Sequence, residues 1–550
     1  MMPSTSPKKA VVIGAGAAGL ATAALLSCEG YEVTVVEKNE GIGGRAGDLC
    51  DKGFRWDTGP SWYLMPDAFE HFFALLGSTV EQEYGLEDMQ PAYRLFAETH
   101  PTQAAERIDV PSDPIALANY FESIEPGAGE KLKKYLASAS TVYRIAVERF
   151  LYTNFTSLGP LLHRDVLGRL SMLAKLLTQS LHAMVNERFQ DHRLRQILSY
   201  PAVFLSSRPE ETPSMYHLMS HTDIIQGVRY PTRGFTGVME AIYRHALIRN
   251  ARFLFNTAVL EITTSNMRRR LLQRKKLART TGVLIRHSDG SKEHLRADIV
   301  VSCADLHHTE TQLLPQHLRS YDSDYFSRRN PGVGTVVVLA GVTGSLPQLK
   351  HHNLFFSQNW TTDFDAVFRT DTSDVASESI YVSMPSHTDP HVAPPGHENL
   401  FILIPVSAQL DIGHGNAYGH TESESVRAIA EHTIESIAHK AGIPDLSSRI
   451  IVHKTIGPAD FADRYHAWLG GSIGPAHTLR QSAFFRGRNV SVSQKVKKSV
   501  LCGRDYRPWG WYPDVSYIGR KRYQATAGRY QRRASAGATQ STPCFDIKST

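Results

Sequence analysis

The 550-residue chain is 42% hydrophobic and 21% charged, with a formal net charge of +6 and a mean hydropathy of -0.27. These values argue against a multi-span membrane protein and against a basic nucleic-acid module with interleaved aromatics, and the length calls for two or three interleaved units. Five cysteines (Cys28, Cys50, Cys303, Cys502 and Cys544), odd in number, far apart and without a CxxC pair, point to reduced thiols and no zinc site.

The run from Lys8 to Arg45 predicts a strand over Ala10 to Ile13, a glycine turn, a helix through Ser27 and a second strand over Glu32 to Val36. Gly14, Gly16 and Gly19 stand at GxGxxG spacing, with Ala15 and Ala18 between them. Gly14 permits the tight turn, Gly16 lets the backbone approach a pyrophosphate, and Gly19 lets helix and strand pack closely, so phosphates sit on the helix N-terminus. Glu37 closes the second strand, where a carboxylate accepts hydrogen bonds from an unphosphorylated adenosine ribose, and Lys38 follows it. Lys8, Lys9 and the apolar run imitate a secretory signal, but a signal needs neither this glycine spacing nor a following strand, so no signal peptide is expected. No other stretch reaches the roughly 18 apolar residues of a spanning helix.

After Glu37 the chain continues into Gly41, Gly43, Gly44 and Arg45 in place of a second crossover helix, and Asp57 to Pro66 read DTGPSWYLMP. The first pattern resembles the FAD-binding start of the amine oxidase and carotenoid desaturase superfamily, and the second is similar to its phytoene desaturase branch. The resemblance runs over about residues 8 to 495. It implies an α/β fold: a Rossmann-type FAD-binding domain interleaved with a mixed-sheet and helical substrate domain. FAD is the implied cofactor, with Arg45 beside Gly44 reaching its phosphates and Gly59, Pro60 and Ser61 in a loop past the flavin ring. The expected divisions are FAD-binding segments at 8–85, 229–310 and 456–497, a helical membrane-facing part at 86–228, a substrate sheet at 311–455 and an aberrant, disordered tail at 498–550.

Phe69 to Leu76 reads as a helix, and from there to Tyr230 the pattern is mainly helical with a few short strands. Leu158 to Phe189 repeats Leu, Met and Val at helical spacing, with His163, Arg164, Arg169 and Lys175 between them. Two readings stand: a helix whose apolar stripe packs on its own domain, and an interfacial helix beside a lipid-substrate entrance. The resemblance raises the second, because carotenoid desaturases take an insoluble polyene from a bilayer.

Gly227 to Gly237, GVRYPTRGFTG, resembles the family's turn back to the flavin domain, with Arg233 in place of a glycine and therefore costly in a glycine-only conformation. A helix through Leu247 and a strand over Phe253 to Ile262 follow. By resemblance the backbone of Val259 meets the adenine; an ordinary buried valine is the alternative. The basic run Met267 to Arg279 lies between strands at Val259 to Thr263 and Thr281 to Arg286 and reads as a solvated hairpin extension. Asp298 to Asp305, DIVVSCAD, is a strand ending in a polar loop, similar to the family's VVxNAD with Cys303 for asparagine. Runs at Gly334 to Val342, Leu354 to Phe356, Ser379 to Ser383 and Leu400 to Val406 predict a mixed sheet beneath a substrate channel. His351 and His352 are adjacent and point different ways on a strand, which argues against a metal site.

The resemblance implies desaturation of a linear C40 carotene such as phytoene, by hydride transfer from an allylic carbon to FAD with proton loss from its neighbour. Quinone or oxygen would reoxidise the flavin. No catalytic side chain is named, because some relatives carry an acid and an arginine early in the substrate domain and Lys133 to Ser140, KKYLASAS, offers neither. A peripheral protein on the cytoplasmic face of a membrane, without a nucleic-acid partner, is expected. The alternatives are another flavin amine oxidase-like oxidase, a carotenoid isomerase or saturase, and a non-catalytic lipid-binding relative.

Gly457 to Arg486 resumes the family pattern, and from about Ser499 the resemblance stops. Trp509, Gly510 and Trp511 require TGG GGN TGG before the T of Tyr512, and one base later these bases read GGG, GNT and GGT, which forces Gly-x-Gly. The neighbouring codons permit AGATTVPGxGIPMCLISAE over Cys502 to Arg520, which resembles the family's final flavin-binding motif, with the break near Lys497 or Lys498. Sequencing of transcript and genomic DNA is expected to spell this motif in the next frame; bases that do not would end the idea.

Overall fold

Lys9–Ile13 is short, β-branched and buried from its second residue on, the profile of a strand covered on both faces of a parallel sheet. It lies at the centre of five parallel strands, ordered Ser499–Leu501, Ile299–Ser302, Lys9–Ile13, Glu32–Val36 and Arg252–Leu254. The helices Ala17–Cys28 and Gly234–Leu247 cover one face. A second, smaller sheet, in which Ala258–Asn266, Ala278–Arg286 and Lys292–Arg296 run antiparallel, covers the other through Ile262, Val283 and Ile285. The computed structural model describes residues 7–98, 103–151, 162–266, 278–368, 376–478, 481, 496–497 and 499–501.

The largest sheet among the described residues has seven strands in the order Ile450–Ile456, Val333–Thr343, His397–Ser407, Ile380–Ser383, His352–Phe356, Tyr93–Ala97 and Glu106–Val110. Val333–Thr343 and His397–Ser407 pair along their whole length, from Val333 opposite Ser407 to Thr343 opposite His397. Helices from residues 114–225 pack on one face, where Leu117, Phe121, Tyr135, Leu194 and Tyr200 join Leu339 and Leu354 in one core. The helix Glu424–Ala441 covers the other.

Several expectations change. The short strands expected in the mainly helical part are present, and two of them join the large sheet, a pairing not read from the sequence: Tyr93–Ala97 pairs in parallel with His352–Phe356, placing Arg94 opposite Asn353. A five-residue strand leaves no period of its own, and its partner lies far along the chain. The strand expected over Phe253 to Ile262 divides into Arg252–Leu254 and Ala258–Asn266, one in each sheet, with Asn256 at φ 49° between them. Among its described residues, Leu158 to Phe189 holds three helices, Arg164–Leu167, Leu170–Thr178 and Leu181–Asn186. Gly168 ends the first, and the Ser180 hydroxyl caps the third by accepting the Ala183 N–H at 3.1 Å, local bonds that compete with one continuous helix. Ser499–Leu501 belongs to the segment set apart as an aberrant tail, yet it pairs with Ile299–Ser302, because an open parallel edge accepts a short apolar strand. The rest of that tail, including the codons of the shifted motif, lies outside the described residues, as do 267–277 of the basic run. Cys28 and Cys50 are free thiols.

Arg233 takes the left-handed conformation itself, at φ 67° and ψ 19°. An L-residue there costs about 1–2 kcal/mol, and the guanidinium pairs with Glu240 at 2.7 and 3.2 Å. Gly234 follows at φ 68°, where a Cβ would lie 2.1 Å from Asp57 Oδ2. That carboxyl accepts the Phe235 N–H at 2.8 Å and the Thr236 hydroxyl at 3.0 Å, clasping the DTGPS loop to the helix start. Burial pushes Asp57 up to about 6, against the nearby Arg55 and these bonds. Gly234→Ala is expected to destabilise the protein by about 2 kcal/mol or more, read as a lowered urea midpoint; an unchanged midpoint would refute the clasp.

Candidate cofactor site

A cavity of about 250 Å³ opens where Lys9–Ile13, Glu32–Val36 and Ile299–Ser302 end, the edge at which ligands sit in open α/β sheets. Gly14 turns at φ 96°. Gly16 precedes Ala17–Cys28 without a side-chain cap, and the first turn carries no acid, so the positive end of the helix faces the cavity. Gly16 also bridges to Gly43, and a Cβ on Gly44 would come within 3.1 Å of Gly16 Cα. The GGR loop therefore docks on the glycine turn, where nicotinamide-type folds continue into a further crossover.

Glu37 is buried, 7% exposed, with Oε2 accepting the Ala15 N–H at 2.7 Å and Oε1 accepting the Asn39 N–H at 2.9 Å. Burial pushes its carboxyl up, and the two backbone donors oppose that shift. Thr257, Ala258 and Val259 reach the same cavity. They do so because the Thr257 N–H donates to the Glu37 carbonyl at 2.9 Å while the Glu37 N–H donates to that of Leu254 at 2.8 Å. A register shift between Val259 and Glu261 loosens the ladder there.

Of the residues marked from sequence, Gly14, Gly16, Ala18, Glu37, Lys38, Gly44, Arg45, Pro60 and Val259 line the cavity. The others act behind it. Ala15 holds Glu37, a Cβ on Gly19 would lie 1.8 Å from the Gly14 carbonyl, and one on Gly59 would lie 2.0 Å from that of Arg45. The Ser61 hydroxyl donates to the Gly59 carbonyl at 3.4 Å.

Sequence reasoning missed the far wall: Asp305, His308, Arg464, Tyr465 and His466. Asp305 ends the VVSCAD strand in the loop already read as polar; its carboxylate accepts the His308 N–H at 3.1 Å and the Trp468 N–H at 3.3 Å. His308 and His466 stack with centroids 3.7 Å apart and planes 4° from parallel. Burial first, then the neighbouring cation Lys38 for His308 and the partner ring for His466, lowers them to about 4 and about 3, so both are neutral. Arg464 and His466 fall within the Gly457 to Arg486 run that resumes the family pattern, and no spacing in that run singles them out.

The cavity fits a dinucleotide. Arg45 Nε and Arg464 Nε are buried there without hydrogen-bond partners among the described residues, and together with the uncapped helix N-terminus they suit the charge of a pyrophosphate. Glu37 would hold the adenosine ribose, and Pro60 brings the DTGPS loop to the same cavity.

Fold and site together define an FAD-dependent oxidoreductase. A family model described as flavin containing amine oxidoreductase matches residues 17–495, and the chain belongs to that family, in its carotenoid and phytoene desaturase branch. It is 35% identical to a carotenoid 3,4-desaturase of Haloarcula japonica over 89% of this chain and 92% of that protein. Against a zeta-carotene-forming phytoene desaturase of Myxococcus xanthus it is 30% identical over 94% and 93%. The fold is shared with the crystal structure of an oxidoreductase from Methanosarcina mazei, with a TM-score of 0.56 and 16% identity, covering 93% of this chain and 100% of that one.

Glu37→Arg introduces a long cation where the ribose acid stands and removes the acceptor of the Ala15 N–H. Purified variant protein is expected to retain under a tenth of the parent's flavin by absorbance at equal fold content; equal flavin in the two proteins would show that Glu37 does not hold the cofactor.

Proposed function

We propose that the protein desaturates a linear carotene in carotenoid biosynthesis, forming a new conjugated double bond. The observation that carries this reading is the continuity of the Asp57 to Pro66 loop from the cofactor cavity into a buried aromatic cluster. Pro60 lines the cavity. Two residues on, Trp62 is 8% exposed and packs on Tyr93 at 5.4 Å, on His352 at 4.7 Å and on Tyr200 and Tyr381 at 6.0 Å. Flat, polarisable faces of this kind suit a polyene.

When bound, FAD supplies the hydride acceptor. The chain's own residues supply position and dryness. Burial lowers His352 well below the usual histidine range and His351 to about 3, so the cluster holds neutral imidazoles. Asp223, 4% exposed, accepts a hydrogen bond from the Tyr200 hydroxyl through Oδ2, and burial pushes its carboxyl up to about 7. Among the described residues its Oδ1 has no partner, which makes it the group in this cluster suited to exchange a proton near neutrality.

A later desaturation, on a carotene already conjugated, is a second reading favoured by the 35% identity to a carotenoid 3,4-desaturase. Quinone or oxygen is proposed as the electron acceptor.

Peripheral membrane binding belongs to the same proposal. Leu162, Leu167, Leu170 and Leu177 are exposed at 68, 49, 58 and 37%, with Arg164 and Lys175 exposed among them. Leu176, Leu181, Met184 and Val185 of the same segment pack into the core. A short helical surface with leucines and cations outward suits the headgroup boundary of an anionic bilayer. Among the described residues, no helix is long and apolar enough to cross a membrane.

Liposomes loaded with phytoene or with an acyclic conjugated carotenoid, given protein, FAD and a quinone, are expected to yield product with red-shifted absorbance from at least one substrate. No conversion of either by flavin-loaded protein would overturn the reading. In flotation, anionic vesicles at low salt are expected to carry several times more protein than neutral ones; equal recovery would remove the electrostatic part.

A further inference from the structure

We propose that His414, His420 and Asp463 form a binding site for one divalent transition-metal ion of the zinc class. Their ligand atoms all lie within 4.8 Å of one another. A tetrahedral ion with bonds of about 2.0–2.1 Å separates its ligands by about 3.3 Å, so the three close on an ion with side-chain movements alone. His414 Nε2 already stands 2.9 Å from Asp463 Oδ2, and the two imidazole centroids are 4.2 Å apart at 58°.

The surrounding bonds organise the histidines as ligands. His420 Nδ1 lies 2.9 Å from Oδ1 of Asp460, whose side chain is fully buried. Oδ2 of Asp460 accepts the N–H groups of Gly415 at 2.7 Å and Gly457 at 2.8 Å. A carboxylate so occupied acts as acceptor toward His420, which places the ring proton on Nδ1 and leaves the lone pair on Nε2 for a metal. This carboxylate–histidine arrangement is the one that sets the tautomer of metal-binding histidines. His414 is held through its backbone, its N–H donating to the Ser423 hydroxyl and its carbonyl accepting the Ser423 N–H, each at 2.9 Å. Asp460 and Asp463 share a face of the helix Pro458–Tyr465 at i, i+3 spacing.

The side chains of His414, His420 and Asp463 are 33, 41 and 60% exposed, which leaves room for entry and for water as the fourth ligand. Cysteine spacing and the pair His351–His352 gave no sign of this site. An ion here ties the loop after Leu410–Ile412 to the helix that leads into Arg464, Tyr465 and His466 of the cofactor cavity wall. The Asp463 carbonyl accepts a bond from Lys38 of the same cavity.

Full-length protein freed of metal with a chelator is titrated with Co(II), whose d–d absorption is strong only in low-symmetry, tetrahedral-like sites. One equivalent is expected to produce these bands, one equivalent of Zn(II) to bleach them, and each of His414→Ala, His420→Ala and Asp463→Asn to weaken uptake by more than about tenfold. His432→Ala, which alters an exposed histidine paired only with Glu378 at 2.8 Å, is expected to bind as the parent does. Circular dichroism and urea midpoints establish that the variants are folded, and Asp463→Asn, the mildest change at the most exposed ligand, provides the decisive comparison should a histidine variant misfold. Absence of d–d bands in the parent, or equal uptake by folded Asp463→Asn, overturns the site.

Discussion

Glu37 joins three parts of the nucleotide half through its carboxylate and its main chain. One oxygen holds the Ala15 N–H of the glycine turn and the other the Asn39 N–H beyond the second strand. The residue's own peptide groups bond to Leu254 and Thr257 on either side of the break between the parallel sheet and the antiparallel one. A buried carboxylate is tolerated only when its lone pairs are used, and here the backbone uses them at the place where a ribose would compete. The same acid therefore shapes the cavity that it lines.

The seven-stranded sheet meets the segment that leads to the cofactor cavity through close approaches. Gly341, near the end of the long strand Val333–Thr343, leaves the space filled by Phe54, since a Cβ there would lie 2.7 Å from the ring. Phe54 stacks on Trp56 at 5.5 Å, and the strand that carries them runs into Asp57 and the DTGPS loop. A contact on the large sheet thus fixes where the loop leaves for the cofactor cavity. Asp57 then clasps the helix Gly234–Leu247, so three distant segments meet at one short strand.

The cavity walls differ in how they were legible. Gly14, Gly16, Glu37 and Arg45 follow one another closely along the chain, and their spacing carries the geometry of strand, turn and helix. Arg464 and His466 enter the cavity because Asn39 donates to the Arg464 carbonyl at 3.0 Å and Arg464 bonds to Glu40 at 2.8 Å. Those bonds span more than four hundred residues of chain and leave no trace in local pattern.

The sequence by itself determined the α/β class, the dinucleotide turn, the acid that closes the second strand and the central strands of both large sheets, because each of these is written in spacing or period within a few tens of residues, and its motifs carried the resemblance to the flavoprotein family. Only the tertiary structure decided that Tyr93–Ala97 joins the seven-stranded sheet, that Phe253 to Ile262 divides between two sheets, and that the described part of Leu158 to Phe189 forms short helices with leucines exposed. It also decided that His414 and His420 face Asp463. The physical reason is common to all of these: strand pairing, burial and side-chain convergence are set by partners far along the chain, and a short segment has the same local propensity whichever partner it finds.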